Sequence, residues 1–213
     1  MRSLTPLEAR VLAVLVEKQH TVPDTYPLSL NSLSAACNQK TARAPVMEAT
    51  EAEVLTAVDG LKALSLVFEG SGSRVVKFEH NMPRVMALPG ASTALLAVLM
   101  LRGPQTSAEL RLNCERLHRF ADISSAEGFL EELATKATPM VVKLARAPGS
   151  REARWAHLLC GDVSAEAGQG FSGEGGVSAG ELAAMKAELT RQGSDLAALR
   201  ELVERMAREL GVQ

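Results

Sequence analysis

The side chains that most often catalyse reactions or bind metals are scattered along this sequence. The four histidines are His20, His80, His118 and His157. None lies in an H-x-x-x-H or H-E-x-x-H pattern, which would set two metal ligands on one face of a helix. The three cysteines are Cys37, Cys114 and Cys160, and they lack C-x-x-C spacing. The sequence therefore predicts no metal site and no catalytic residue.

Motifs that bind phosphates or nucleotides are also missing from the sequence. It contains no G-x-x-x-x-G-K-[ST], G-x-G-x-x-G or G-x-S-x-G motif. The glycines and serines of residues 70–73 fall at a predicted hairpin tip, with no helix N-terminus after them to hold an anion. Glu131 and Glu132 are interpreted as a solvated helix face. We therefore expect a protein that is not an enzyme and has no cofactor and no small-molecule substrate.

One nine-residue pattern, G-S-R-x-x-[KR]-[FW]-x-H, occurs twice, at residues 72–80 and 149–157. A Gly-Ser turn that opens a short strand is typical of a β-hairpin and its return strand. Phe78 and Trp155 occupy equivalent positions and are predicted to lie in the core. His80 and His157 also share a position, which favours a structural role for both at the end of the strand.

The elements before each hairpin follow one order. In residues 1–88 the capping signals after Thr5, Ser29 and Thr50 predict three helices, and strands at 66–68 and 74–79 follow them. In residues 91–160 the predicted helices begin at Ala91, after Thr106 and after Ser124, and the strands span 140–145 and 152–159. Three helices and a hairpin form a winged helix. We expect a helix-dominated α+β chain with two tandem winged-helix domains.

The end of the chain has a different composition. Residues 161–177 are rich in glycine, serine, alanine and glutamate, which predicts a flexible linker. Residues 178–211 then repeat apolar side chains at intervals of three and four, with Gln192 as the polar member. This pattern predicts a C-terminal coiled-coil helix that forms a homodimer; the alternative is that the helix folds back onto its own chain. The proposed seam consists of Leu182, Met185, Leu189, Leu196, Leu199, Val203, Met206 and Leu210.

Charge is nearly balanced, which argues against a dedicated nucleic-acid binder. Residues 1–90 carry 9 basic and 9 acidic side chains, residues 91–160 carry 9 and 7, and residues 161–213 carry 5 and 9. Both predicted third helices present carboxylates, which phosphates repel. The basic side chains lie on hairpins and loops instead. The candidate nucleic-acid-binding residues are Arg74, Lys77, Arg151, Arg154, Lys40 and Arg43.

Two functions remain open from the sequence. In the first, a dimeric protein binds duplex DNA through its wings and acts in regulation. In the second, the winged helices form a protein-interaction scaffold whose acidic surfaces face a partner, without direct contact to DNA. The fold analogy places DNA first.

The compartment follows from what the sequence lacks. No apolar run approaches the roughly 20 residues of a membrane span, so no membrane partner is expected. The N-terminus enters a charged amphipathic helix and shows no signal-peptide core. Isolated thiols favour a reducing environment. These features predict a cytoplasmic protein.

Several runs resemble a known bacterial family. Residues 4–12, 23–31, 36–40, 43–47, 51–54 and 74–80 are similar to those of the YceH-like family of uncharacterised proteins, and the likeness extends over about residues 4–160. The resemblance implies two winged-helix domains in a bacterial cytoplasmic protein. It implies no activity, ligand or catalytic residue.

Overall fold

The first three helices begin where the sequence offers capping side chains. A computed structural model describes residues 2–70, 75–146 and 152–163. Its first helices are α1 (Pro6–Thr21), α2 (Leu30–Cys37) and α3 (Glu51–Ala63). Thr5 and Thr50 each accept a hydrogen bond from the backbone N–H three residues later, and the glutamate at that position bonds back to the cap. These two capping boxes confirm the predicted starts of α1 and α3.

A three-stranded antiparallel sheet closes this first half of the chain. Its strands are β1 (Leu28–Ser29), β2 (Val67–Gly70) and β3 (Lys77–His80), in the order β1-β3-β2. Phe78 pairs with Leu28 on one side and with Glu69 on the other. Because only 2% of Phe78 is exposed, the sheet is anchored to the helices through its central strand.

The second half repeats this order after a one-turn helix, α4 (Met82–Val85). It contains α5 (Gly90–Arg102), α6 (Ser107–Asn113), α7 (Ile123–Thr135), β4 (Val141–Lys143) and β5 (Trp155–His157). The two strands pair antiparallel, and Gln105 forms a single bridge to Trp155. Trp155 is 2% exposed, so the prediction that it and Phe78 are core residues is confirmed.

The two halves meet through their first helices. Helix α1 packs against α5, and every residue from Glu8 to Val16 and from Ala91 to Leu101 is buried. A helix that is buried on all sides must have neighbours all round it, and here the other half supplies them. All described residues belong to one compact unit of the chain.

Several predicted boundaries were wrong. The apolar spacing that follows Thr5 predicts a helix end near Lys18. Helix α1 instead continues to Thr21, because no helix breaker occurs before Pro23. The cap of α7 is Asp122 rather than Ser124, since the Asp122 carboxylate accepts from the N–H of Ser125 at 2.7 Å. The short elements β1 and α4 were not predicted at all.

The helix-dominated α+β class, with small antiparallel sheets, is confirmed. No helix among the described residues is long and apolar enough to cross a membrane. The predicted linker lies outside the described residues beyond Val163, and so does the whole coiled-coil seam. Dimerisation through residues 178–211 therefore stays a prediction.

Candidate recognition surfaces

The exposed face of α3 is acidic and apolar. Glu51, Leu55 and Asp59 lie four residues apart and are all exposed, with Leu55 at 40%. Residues at this spacing lie above one another on one side of a helix. The only cation of α3, Lys62, forms ion pairs with Asp59 and Glu69. This face therefore offers no free positive charge to a phosphate.

The exposed face of α7 has a similar character. The helix contains no lysine or arginine, and Glu131 and Glu132 are exposed. Ile123, at its N-terminal end, is 45% exposed. Glu127 is bound to Lys143 of β4 at 2.7 Å. Both third helices thus present carboxylates together with an apolar side chain.

The candidate basic residues of the hairpins have different surroundings. Lys77 lies on β3, half-buried and opposite Gly70. The Arg154 guanidinium donates to the Pro104 carbonyl at 2.8 Å and lies 3.4 Å from the Glu109 carboxylate. Arg74 and Arg151 lie outside the described residues. Of the two candidate hairpin residues that are described, Lys77 has no carboxylate partner within the described residues, whereas Arg154 has one.

The two candidate residues in the α2–α3 connection differ in their exposure. Lys40 is exposed, whereas the side chain of Arg43 is fully buried. The Arg43 guanidinium forms two bonds to the Glu17 carboxylate, at 2.6 and 3.2 Å, and a weaker one to the Ala36 carbonyl. The structure therefore places Arg43 in the packing between α1 and the loop, away from the surface.

A second buried guanidinium holds the same loop. Arg10 is 1% exposed and donates to the carbonyls of Cys37 and Pro45 at 3.1 and 2.7 Å. Burial lowers the pKa of Arg10, and the nearby Arg43 charge adds to this effect. Arg10 and Arg43 together donate to the carbonyls of Ala36, Cys37 and Pro45, which accept no hydrogen bond within a helix or a strand. These bonds fix the loop that leads to α3.

His80 and His157 end their strands in matching places. His80 pairs with Val67 and His157 with Val141, and both of these valines are buried. In each ring Nδ1 is buried and has no hydrogen-bond partner. Burial lowers the pKa of both histidines to about 4, and His20 contributes to the shift of His80. Both rings are therefore neutral at pH 7.

Two of the three thiols, Cys37 and Cys114, are buried. Burial raises the pKa of Cys37 and of Cys114 to about 12, which leaves almost no thiolate at neutral pH. No group of three or more histidine, cysteine, aspartate or glutamate side chains among the described residues could hold a metal ion.

The structure also reveals a groove that the sequence analysis missed. It lies at the connection between α6 and α7 and is lined by Arg111, Leu112, Glu115, Arg119 and Phe120. Leu112 is 65% exposed, the largest exposed fraction of any large apolar side chain described. The signal in the sequence was the density of arginine in residues 111–119, which charge totals over whole segments conceal.

Comparison with known proteins gives one consistent family. A model described as a protein of unknown function, DUF480, matches residues 4–150. The chain is 65% identical over 214 residues to a UPF0502 protein of Burkholderia multivorans, which covers 100% of this chain and 91% of the relative. It is 63% identical over 215 residues to a UPF0502 protein of Leptothrix cholodnii, which covers 99% of this chain and 97% of the relative. The chain therefore belongs to the DUF480, or UPF0502, family of uncharacterised bacterial proteins.

Proposed function

We propose that each half of the chain is a winged-helix domain and that the pair acts by binding rather than by catalysis. In both halves the segment before the second helix pairs with the return strand of the hairpin. The contacts are Leu28 with Phe78 and Gln105 with Trp155. The order is therefore helix, short strand, helix, helix, hairpin in the first half, and a single bridge takes the place of the short strand in the second, as in a winged helix. The likeness to the YceH-like family implies the same arrangement.

We further propose that the third helices, α3 and α7, recognise a protein rather than read the bases of DNA. The observation that carries this proposal is the chemistry of their exposed faces. A helix in the major groove needs cations near phosphates and donors near base edges. These faces present Glu51, Asp59, Glu131 and Glu132 instead. Exposed Leu55 and Ile123 give them an apolar part that a protein surface can cover.

Photo-crosslinking in cells tests this proposal. A benzoylphenylalanine is placed at Leu55 or at Ile123 in the full chain, and at Val22 as a matched control. Val22 is 39% exposed, close to the 40% of Leu55 and the 45% of Ile123. We expect protein adducts at Leu55 and Ile123 at several times the yield at Val22. Equal yields at all three positions, or no adduct at the two helices, would refute the proposal.

Duplex DNA bound by the wings is the second candidate, and one observation favours it. Lys40 is exposed and Lys77 is half-exposed, and neither forms an ion pair with a described residue. Two such cations can contact phosphates without entering the major groove. Arg43 is left out of this surface because its guanidinium is buried on Glu17.

A salt titration decides this second candidate. Binding of a short labelled duplex is followed by fluorescence anisotropy between about 50 and 200 mM salt. If the wings bind DNA, the Lys40→Ala/Lys77→Ala variant should lose about two units of the slope of log K against log salt. The control is Lys62→Ala, which removes a cation already paired with Glu69. Absence of binding at the lowest salt would exclude DNA as a ligand of this chain.

A further inference from the structure

The α6–α7 groove is lined by two arginines, one glutamate and two apolar side chains. Leu112 is exposed, and the ring of Phe120 is buried against the rings of His118 and Phe129. Arg111 and Arg119 supply the two guanidinium groups of the lining. Glu115 also lines the groove, so the five lining residues carry a net charge of +1.

The arginines of the groove are not satisfied within the described chain. Arg111 donates only a long bond, 3.4 Å, to the Ala121 carbonyl, and its Nε is buried without a hydrogen-bond partner. Arg119 is exposed and forms no ion pair with a described residue. Guanidinium groups in such a setting gain most from carboxylates, which they can bind through two parallel bonds.

Helix α3 carries the complementary pattern. Glu51, Leu55 and Asp59 form one stripe, with a carboxylate on each side of an exposed leucine. The stripe spans about two turns of helix, or roughly 12 Å along the axis. The face of α7 lacks this pattern, because no large apolar side chain is exposed beside Glu131 and Glu132.

We propose that the α3 stripe of one copy of this chain docks into the α6–α7 groove of a second copy. Glu51 then binds Arg111, Asp59 exchanges its 3.5 Å contact with Lys62 for Arg119, and Leu55 packs on Leu112. This inference rests on the proposed function, since it names the protein that α3 recognises. The contact joins two copies because, within one copy, Leu55 and Leu112 both remain exposed. When both copies contribute both surfaces, the contact closes as a two-fold dimer.

Cysteine crosslinking tests the contact directly in the full chain. Cys160 is replaced by serine, since it is the exposed thiol among the three cysteines. A Leu55→Cys chain is mixed with a Leu112→Cys chain, and disulfide-linked dimers are measured under mild oxidation. The control mixture pairs Leu55→Cys with Val85→Cys, another exposed apolar position. We expect the Leu55–Leu112 pair to link at least about tenfold faster than the control. Equal rates would overturn the proposal.

Charge reversal adds a test of the ion pairs. Asp59→Arg in the Leu55→Cys chain, or Arg119→Glu in the Leu112→Cys chain, should slow crosslinking about tenfold, because each puts like charges opposite one another. Combining the two reversed chains should restore the rate. Arg119 is reversed rather than Arg111 because Arg119 is exposed, whereas Arg111 has a buried Nε. Slowing without recovery in the combined mixture would refute the pairing.

The two proposals fail in different ways. If benzoylphenylalanine at Leu55 captures a different protein while the cysteine pair does not link, this inference is overturned and the proposed function stands. If Leu55 gives neither kind of product, both are overturned. Adducts between two copies, together with recovery by charge reversal, support both.

Discussion

Replacement of Arg43 by alanine is expected to lower the free energy of unfolding by about 3 kcal/mol. The guanidinium is fully buried and forms two bonds to Glu17, whose side chain is only 16% exposed. Removing it leaves a carboxylate in a poorly solvated place and a carbonyl of Ala36 without its donor. Lys18, at 3.5 Å from Glu17, remains as a partial partner, so the loss falls at the lower end for a buried pair.

Urea denaturation at pH 7 measures this loss. The matched control is Lys40→Ala, which removes a cation from the same loop, but from an exposed position, and should change stability by less than about 0.5 kcal/mol. The Glu17→Gln/Arg43→Met pair should recover part of the loss, because it also removes the carboxylate that Arg43→Ala leaves without its partner. A cost for Arg43→Ala as small as that of the control would show that the buried pair does not hold the loop.

Acid is expected to destabilise the protein through His80 and His157. Both have a pKa of about 4 in the folded chain, because burial disfavours the charged ring. In the unfolded chain their pKa returns to about 6.5. Between these values only the unfolded state binds the proton, so stability is complete above about pH 6.5 and falls as the pH approaches 4. Each histidine should cost on the order of 2 kcal/mol at pH 4.5.

The difference in unfolding free energy between pH 7 and pH 4.5 is the quantity to measure. Carboxylates also titrate in this range, so the histidine contribution is read from variants. His80→Gln and His157→Gln should each reduce the difference by about 2 kcal/mol, because glutamine cannot take up the proton. His118→Gln is the control, as His118 lies against the Phe120 ring without an orphaned buried nitrogen. A pH difference unchanged in the two test variants would contradict the prediction.

These two predictions matter for function because they assign buried polar groups to the scaffold. Arg43 holds the loop that leads into α3, and the histidines end β3 and β5, the return strands of the two hairpins. The groups left for recognition are then the exposed faces of α3 and α7, the groove at Arg111 and Arg119, and the cations Lys40 and Lys77. A loss of binding in an Arg43 variant would therefore not identify Arg43 as a contact residue.

The amino-acid sequence by itself determined the features that depend on neighbouring residues. Capping boxes at Thr5, Thr50 and Thr106 are satisfied within three residues, so the starts of α1, α3 and α6 follow from local chemistry. The repeated frame predicted Phe78 and Trp155 in the core, because a large aromatic residue at matching positions of two hairpins gains most when it is buried. Class and helix order were therefore predictable.

Tertiary structure decided what depends on distant residues. Strand β1 has two residues and exists through its pairing with β3, about fifty positions later, so no periodicity could reveal it. Arg43 looked like a surface cation until α1 brought Glu17 to it from 26 residues away. The groove brings Arg111 of α6 together with Arg119 of the α6–α7 connection. Burial and charge pairing arise from contacts between residues that are distant in the sequence. Such contacts therefore decide which basic residues of this near-neutral protein remain free to bind a partner.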